Sequence, residues 1–138
     1  MKSRTVGILI VFAIVMSIVP RLNSASEARI EFTAVPGSGQ GANSHGDIAG
    51  RVVGLGSPQK YKVVLYAHTD WWYVQPQADD PFTDIHSNGT WSNWTHLGQR
   101  YAALVVNSTY KPAAKIQALP HVDHKNVIAR DESVPSTK

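Results

Sequence analysis

From residue 30 onward, apolar and polar positions follow the two-residue period of strands, and no segment carries a helical apolar stripe through three turns. Residues 30–35 alternate and then meet Pro36-Gly37-Ser38-Gly39, and the glycine-rich stretch 36–46 reads as a loop. Residues 47–55 place Ile48, Val52 and Val53 beside Gly50 and Gly54, the pattern of a strand interrupted by a bulge. A turn at 56–58 leads into 61–69, where Val63, Val64, Leu65, Tyr66 and Ala67 form an almost unbroken apolar run. A second aromatic run at 71–74 ends at Pro76. Residues 75–90 carry Pro76, Asp79, Asp80 and Pro81 and are expected to be loop until Asn88-Gly89, a hairpin signal, turns the chain into Thr90-Trp91. Residues 101–106 form a third strong strand and 127–129 a last short one. Residues 113–119, bounded by Pro112 and Pro120, are the one short helical candidate, and 131–138 are expected to be a flexible tail. About seven short strands in one domain over 29–130 predict an all-β fold, an antiparallel β-sandwich of the immunoglobulin or transthyretin kind.

The first 28 residues differ from the rest. Lys2 and Arg4 precede an apolar run from Val6 to Val19, Pro20 breaks it, and small residues follow at Ser24, Ala25, Ser26 and Ala28. This is the pattern of a cleaved secretory signal peptide, because a run of ~14 residues is short of the ~20 that span a bilayer. The expected location is outside the cell or in a periplasm. The chain has no cysteine, so disulfides, zinc–thiolate sites and thiol nucleophiles are excluded, and an exported protein of this kind is held by its core alone. An exported β domain without cysteine is more typical of bacteria. The formal charge of +3 shrinks once Lys2, Arg4 and Arg21 are set aside with the leader, because ten Lys/Arg then face nine Asp/Glu. No nucleic-acid footprint remains.

Residues 50–110 hold a further ordered pattern. Gly50-Arg-Val-Val-Gly54 is followed by Lys62-Val-Val-Leu-Tyr66, then Asp84-Ile85 with Asn88-Gly-Thr-Trp91, then Leu97-Gly98 with Tyr101-Ala-Ala-Leu-Val-Val106. This resembles the transthyretin-like, or carboxypeptidase-regulatory-like, β-sandwich. The stretches 61–76 and 81–110 are also similar to modules found beside secreted bacterial glycosidases and surface proteins. The resemblance covers about half the chain and implies a fold and an accessory-module setting, with no catalytic residues to carry over.

The densest candidate chemistry is aromatic. Trp71, Trp72, Tyr73, Trp91 and Trp94 lie within 24 positions. In a strand, neighbours face opposite sides, so part of this set is expected in the core and part at the surface. An exposed indole stacks on the C–H face of a sugar, and Gln75, Asp70, Asn93 and Gln99 supply groups for its hydroxyls. The expected ligand is therefore a polysaccharide or surface glycan, bound through Trp71, Trp72, Tyr73, Gln75, Trp91 and Trp94. The competing expectation is a structural or self-associating envelope protein whose aromatics fill the core or a subunit interface. A third is weak metal binding at His121, Asp123 and His124, although the expected set of bound cofactors is none. Asp79, Asp80 and Asp84 lack the calcium-loop spacing and read as turn formers. Glycosidase chemistry needs two opposed carboxylates in a cleft, and a Ser-His-Asp hydrolase needs a nucleophile elbow. Neither pattern is present, so no enzyme is expected. Asn88-Gly-Thr, Asn93-Trp-Thr and Asn107-Ser-Thr have the form of glycosylation sequons.

Overall fold

The structure is a computed structural model that describes residues 27–137. Residues 1–26, nearly all of the segment expected to be a signal peptide, lie outside the described residues. Among the described residues no helix is long and apolar enough to cross a membrane.

Nine strands form an antiparallel β-sandwich. They are β1 (Arg29–Ala34), β2 (His45–Val53), β3 (Tyr61–His68), β4 (Trp72–Gln75), β5 (Phe82–Asp84), β6 (Thr90–His96), β7 (Arg100–Asn107), β8 (Lys115–Ile116) and β9 (Val127–Ser133). The smaller sheet runs β1-β2-β6, and the larger runs β8-β4-β3-β7-β9, with β5 beside the start of β3. The seven longer strands match the apolar and alternating runs of the sequence. The two additions, β5 and β8, are three and two residues long, too short to show a period. Two local expectations are corrected. Residues 113–119 are not helical, because β8 pairs its Ile116 and Lys115 with Trp72 and Tyr73 of β4. Nor is 131–133 a loose tail: β9 continues to Ser133 because Asp131, Glu132 and Ser133 stay in register with Ala103, Ala102 and Tyr101.

The core is divided in two by the larger sheet. On its inner face Val63, Leu65, Ala67, Tyr101, Ala103 and Val105 meet Ile30, Ile48, Val52 and Trp91 of the smaller sheet. On its outer face Val64, Tyr66, Ala102, Leu104 and Val106 pack with Trp72, Val74 and Leu119. The strands β3 and β7 are therefore buried on both sides, which is why their sequences are continuously apolar rather than alternating. The outer cover is the irregular segment 108–122. It is fastened by Val74 N–H to the Ala114 carbonyl at 3.0 Å and by Arg130 Nη1 to the Pro120 carbonyl at 2.9 Å.

Candidate functional site

The aromatic residues of the sequence cluster are dispersed between core and surface. Trp91 is 1% exposed and lies between the sheets, edge-on to Phe32 at 5.8 Å. Its indole N–H finds no acceptor among the described residues. Trp72 is 4% exposed on the outer face of β4, with His68 at 4.8 Å and the Arg100 guanidinium 5.4 Å from its ring. Neither ring can offer a face to a ligand. This corrects their assignment to a surface site, and the cause is packing: a cysteine-free domain uses its largest side chains as core. Trp71 is half-buried under the Lys115 ammonium, 4.9 Å from its ring. Trp94 lies half-buried on the outside of the smaller sheet.

Tyr73 and Gln75 stand together on the inner face of β4, where the two sheets diverge. There they wall a cleft of about 490 Å³ with Ala67, Val74, Pro76, His96 and Leu97, its mouth formed by Gly41, Ala42, Thr69, Gln77 and Ala78. A shallower hollow lined by Gln40, Gly41, Thr69, Asp70 and Gln99 opens beside it and shares Gly41 and Thr69. Volume and character fall within the range of small-ligand sites, which combine apolar walls with a few placed polar groups.

The position of the cleft follows from local chemistry. Gln75 is 4% exposed, and its side chain joins the two sheets: Oε1 accepts from the His96 backbone N–H at 2.8 Å and faces His96 Nδ1 at 2.9 Å, while Nε2 donates to the Tyr73 carbonyl at 3.2 Å. Both ends of its amide are therefore engaged by the frame. The cis Gln75–Pro76 bond turns the chain out of β4 at this point. Asp70 closes the other flank, accepting from Thr69 Oγ1 at 3.1 Å and Trp71 N–H at 3.0 Å. The Tyr73 hydroxyl beside Asp70 holds that carboxyl below its ordinary range, and Asp70 in turn raises the phenol of Tyr73. Burial, then the neighbouring His45, pushes His96 below the ordinary imidazole value.

Tyr101 fixes the far end of the loop over the cleft. Its hydroxyl donates to the Gly37 carbonyl at 2.7 Å and accepts from Gly98 N–H at 3.0 Å. Gly39 N–H then reaches the Gly98 carbonyl at 3.2 Å. The glycine-rich segment 36–42 is thus tied down where it meets the mouth. Its contribution, with that of Leu97 and Thr69, was not legible as a site because the residues are distant in sequence and individually ordinary.

The remaining candidates resolve as structure. Asp123 Oδ1 accepts from the backbone N–H of Lys125, Asn126 and Val127 at 2.7–3.0 Å, and those bonds, Lys125 first, lower its pKa. A carboxylate so engaged shapes a turn, and His121 and His124 stand exposed beside it. Among the described residues no three His, Cys, Asp or Glu side chains gather as a metal set. Asp84 pairs with Lys62, and Asp79 and Asp80 sit in an exposed turn closed by Asp80 N–H to the Gln77 carbonyl. Two sequons are the same turn used twice. Asn88 Oδ1 accepts from Thr90 N–H and Oγ1 at 3.1 and 2.7 Å, and Asn107 Oδ1 accepts from Thr109 N–H and Oγ1 at 3.0 and 2.8 Å. Asn93 Nδ2 instead donates to Thr83 Oγ1 at 2.9 Å, bridging β6 to β5.

Comparison with protein-family models, with curated proteins and with solved structures finds no match.

Proposed function

We propose that this protein is an exported, non-catalytic β-sandwich of the transthyretin-like kind that binds a carbohydrate in the cleft beside Tyr73. The observation that carries this reading is the cleft itself. One aromatic ring, Tyr73, stands on an apolar wall next to a polar rim of Asp70, Gln40 and Gln99. Sugars need that combination, because their C–H faces prefer apolar or aromatic surface and their hydroxyls need acceptors and donors at its border. Asp70 and Gln99 were expected to serve hydroxyls from the sequence alone, and here they border one hollow. Asp70 is the carboxylate among the described residues lining these hollows, and it lacks an opposed partner for glycosidase chemistry. The order of the strands supports the family resemblance: Gly50, Val64, Trp91 and Tyr101 fall in β2, β3, β6 and β7.

Self-association through a sheet edge has less support. At the outer edge of β6 the His96 backbone N–H is already taken by Gln75 Oε1, and the Asn93 side chain by Thr83. The test is calorimetric titration with a panel of soluble polysaccharides. Tyr73→Ala is expected to weaken binding at least tenfold, while Trp94→Ala on the outer face leaves it unchanged. Failure of every glycan to bind, or binding that survives Tyr73→Ala, removes this reading.

A further inference from the structure

A second feature lies around the corner from the cleft, on the outside of the smaller sheet. His45 opens β2, His96 closes β6, and the register sets them directly opposite each other. Their ring centroids are 4.8 Å apart. Trp94 stands against both, 4.9 Å from His45 and 5.2 Å from His96.

Each imidazole has a nitrogen set against an oxygen of the frame, and the Pro76 carbonyl lies against the His96 ring as well. His45 Nε2 lies 3.1 Å from the Ala42 carbonyl oxygen, which can only accept, so Nε2 carries the proton and Nδ1 keeps a lone pair. His96 Nδ1 lies 2.9 Å from Gln75 Oε1. That atom is fixed as oxygen, because it also takes the His96 backbone N–H and because the other end of the amide donates to Tyr73. His96 Nδ1 therefore carries the proton and Nε2 keeps the lone pair. Metal-binding histidines share this arrangement, one nitrogen donating to an oxygen and the other left as ligand.

We propose that His45 Nδ1 and His96 Nε2 form a two-histidine site for a divalent transition-metal ion, with Cu²⁺ the preferred occupant. Two imidazoles on one ion, with bonds of ~2.0–2.1 Å, place their ring centres roughly 4.5–5 Å apart, and the observed spacing matches. Imidazole nitrogen suits copper and zinc, and copper stands highest in the affinity order of the divalent ions. With no third side-chain ligand among the described residues, water completes the coordination and the site stays open. The site shares His96 with the wall of the cleft, but copper uptake and glycan binding are read separately, so the failure of one does not decide the other.

Trp94 makes the site readable, since copper held against an indole quenches its fluorescence. Untagged protein is titrated with CuCl₂ and, separately, ZnCl₂, following tryptophan emission and the nitrogen hyperfine pattern of the copper spectrum. A saturable one-to-one uptake with two nitrogen ligands is expected, weakened at least tenfold in His45→Ala and in His96→Ala. Trp94→Phe is expected to take up copper with most of the quenching gone. His45 is exposed, so His45→Ala decides alone if His96→Ala, which frees Gln75, loses the β-sheet circular dichroism. Undiminished uptake in His45→Ala overturns the proposal. So does loss of uptake only in the double variant His121→Ala/His124→Ala, which would place copper on the turn at 121–124.

Discussion

Gly50 lies in β2 where Trp91 crosses the strand. A β-carbon there would stand 2.1 Å from the Glu31 carbonyl oxygen and 2.3 Å from Trp91 Cζ2. The indole is fully buried and the carbonyl belongs to the neighbouring strand, so neither can withdraw easily. Gly50→Ala is expected to destabilise the protein by about 1–3 kcal/mol, the range for overpacking a filled core, or by more if the backbone moves. Chemical denaturation of the variant beside the parent protein checks this. The glycine was visible in the sequence as an interruption, and the ring that requires it was visible as an aromatic. Their contact was not, because 41 positions separate them and only the pairing of Gly50 with Trp91 across β2 and β6 brings them together. The same limit explains why Trp72 and Trp91 were read as ligand contacts: alternation tells which residues share a face, not which face meets protein.

At the scale of elements, the long strands were legible because each carries several positions of one period. The cover over the outer face of the larger sheet was not. Segment 108–122 spaces its large apolar residues without a strand or helix period, and its role depends on Leu119 and Ile116 reaching a surface built by β3, β4 and β7. The hint lay in β3 and β7 themselves, whose unbroken apolar runs imply burial on two sides. Leu119 is 8% exposed in that layer. Leu119→Ala is expected to cost about 2 kcal/mol, the low end for a buried leucine, and to expose the cover first. Limited proteolysis should then cut within 108–122 faster than in the parent protein, with the rest of the chain resisting as before. The cleft was partly legible. Tyr73, Asp70 and Gln99 were singled out by residue type, whereas the 36–42 loop reaches it through the ties of Tyr101, and His96–Leu97 through β6 and the Gln75 bond.

For the molecule as a whole, the tyrosines set an alkaline limit. Burial raises the phenols of Tyr66, Tyr101 and Tyr110, with Tyr110 adding to the shift of Tyr66 and Asp123 to that of Tyr110. In the unfolded chain these groups ionise near pH ~10, while the fold retains their protons to higher pH. Above that point the native state binds more protons than the unfolded one, so stability is full below pH ~10 and declines as pH rises through the folded values. Melting temperatures followed by circular dichroism from pH 8 to 11.5 should fall accordingly. Tyr66→Phe, which gives up one 3.4 Å bond to the Ala113 carbonyl, should flatten that fall. A parallel decline in the two proteins would remove Tyr66 from this account. The two-sided burial of the larger sheet also bears on how the chain reaches its fold. Strands β3 and β7 pair from Tyr61–Asn107 to His68–Arg100 across intervening chain that must first be gathered in, a non-local step of the slow kind. Once joined, they still present Val64, Tyr66, Leu104 and Val106 on a bare outer face until the downstream segment arrives. On a ribosome, that segment is made after β3 and β7, with β9 following it. The nascent chain therefore passes through an interval in which its most apolar sheet is complete on one side only, and in that interval it is most exposed to association with its neighbours or to capture by a chaperone.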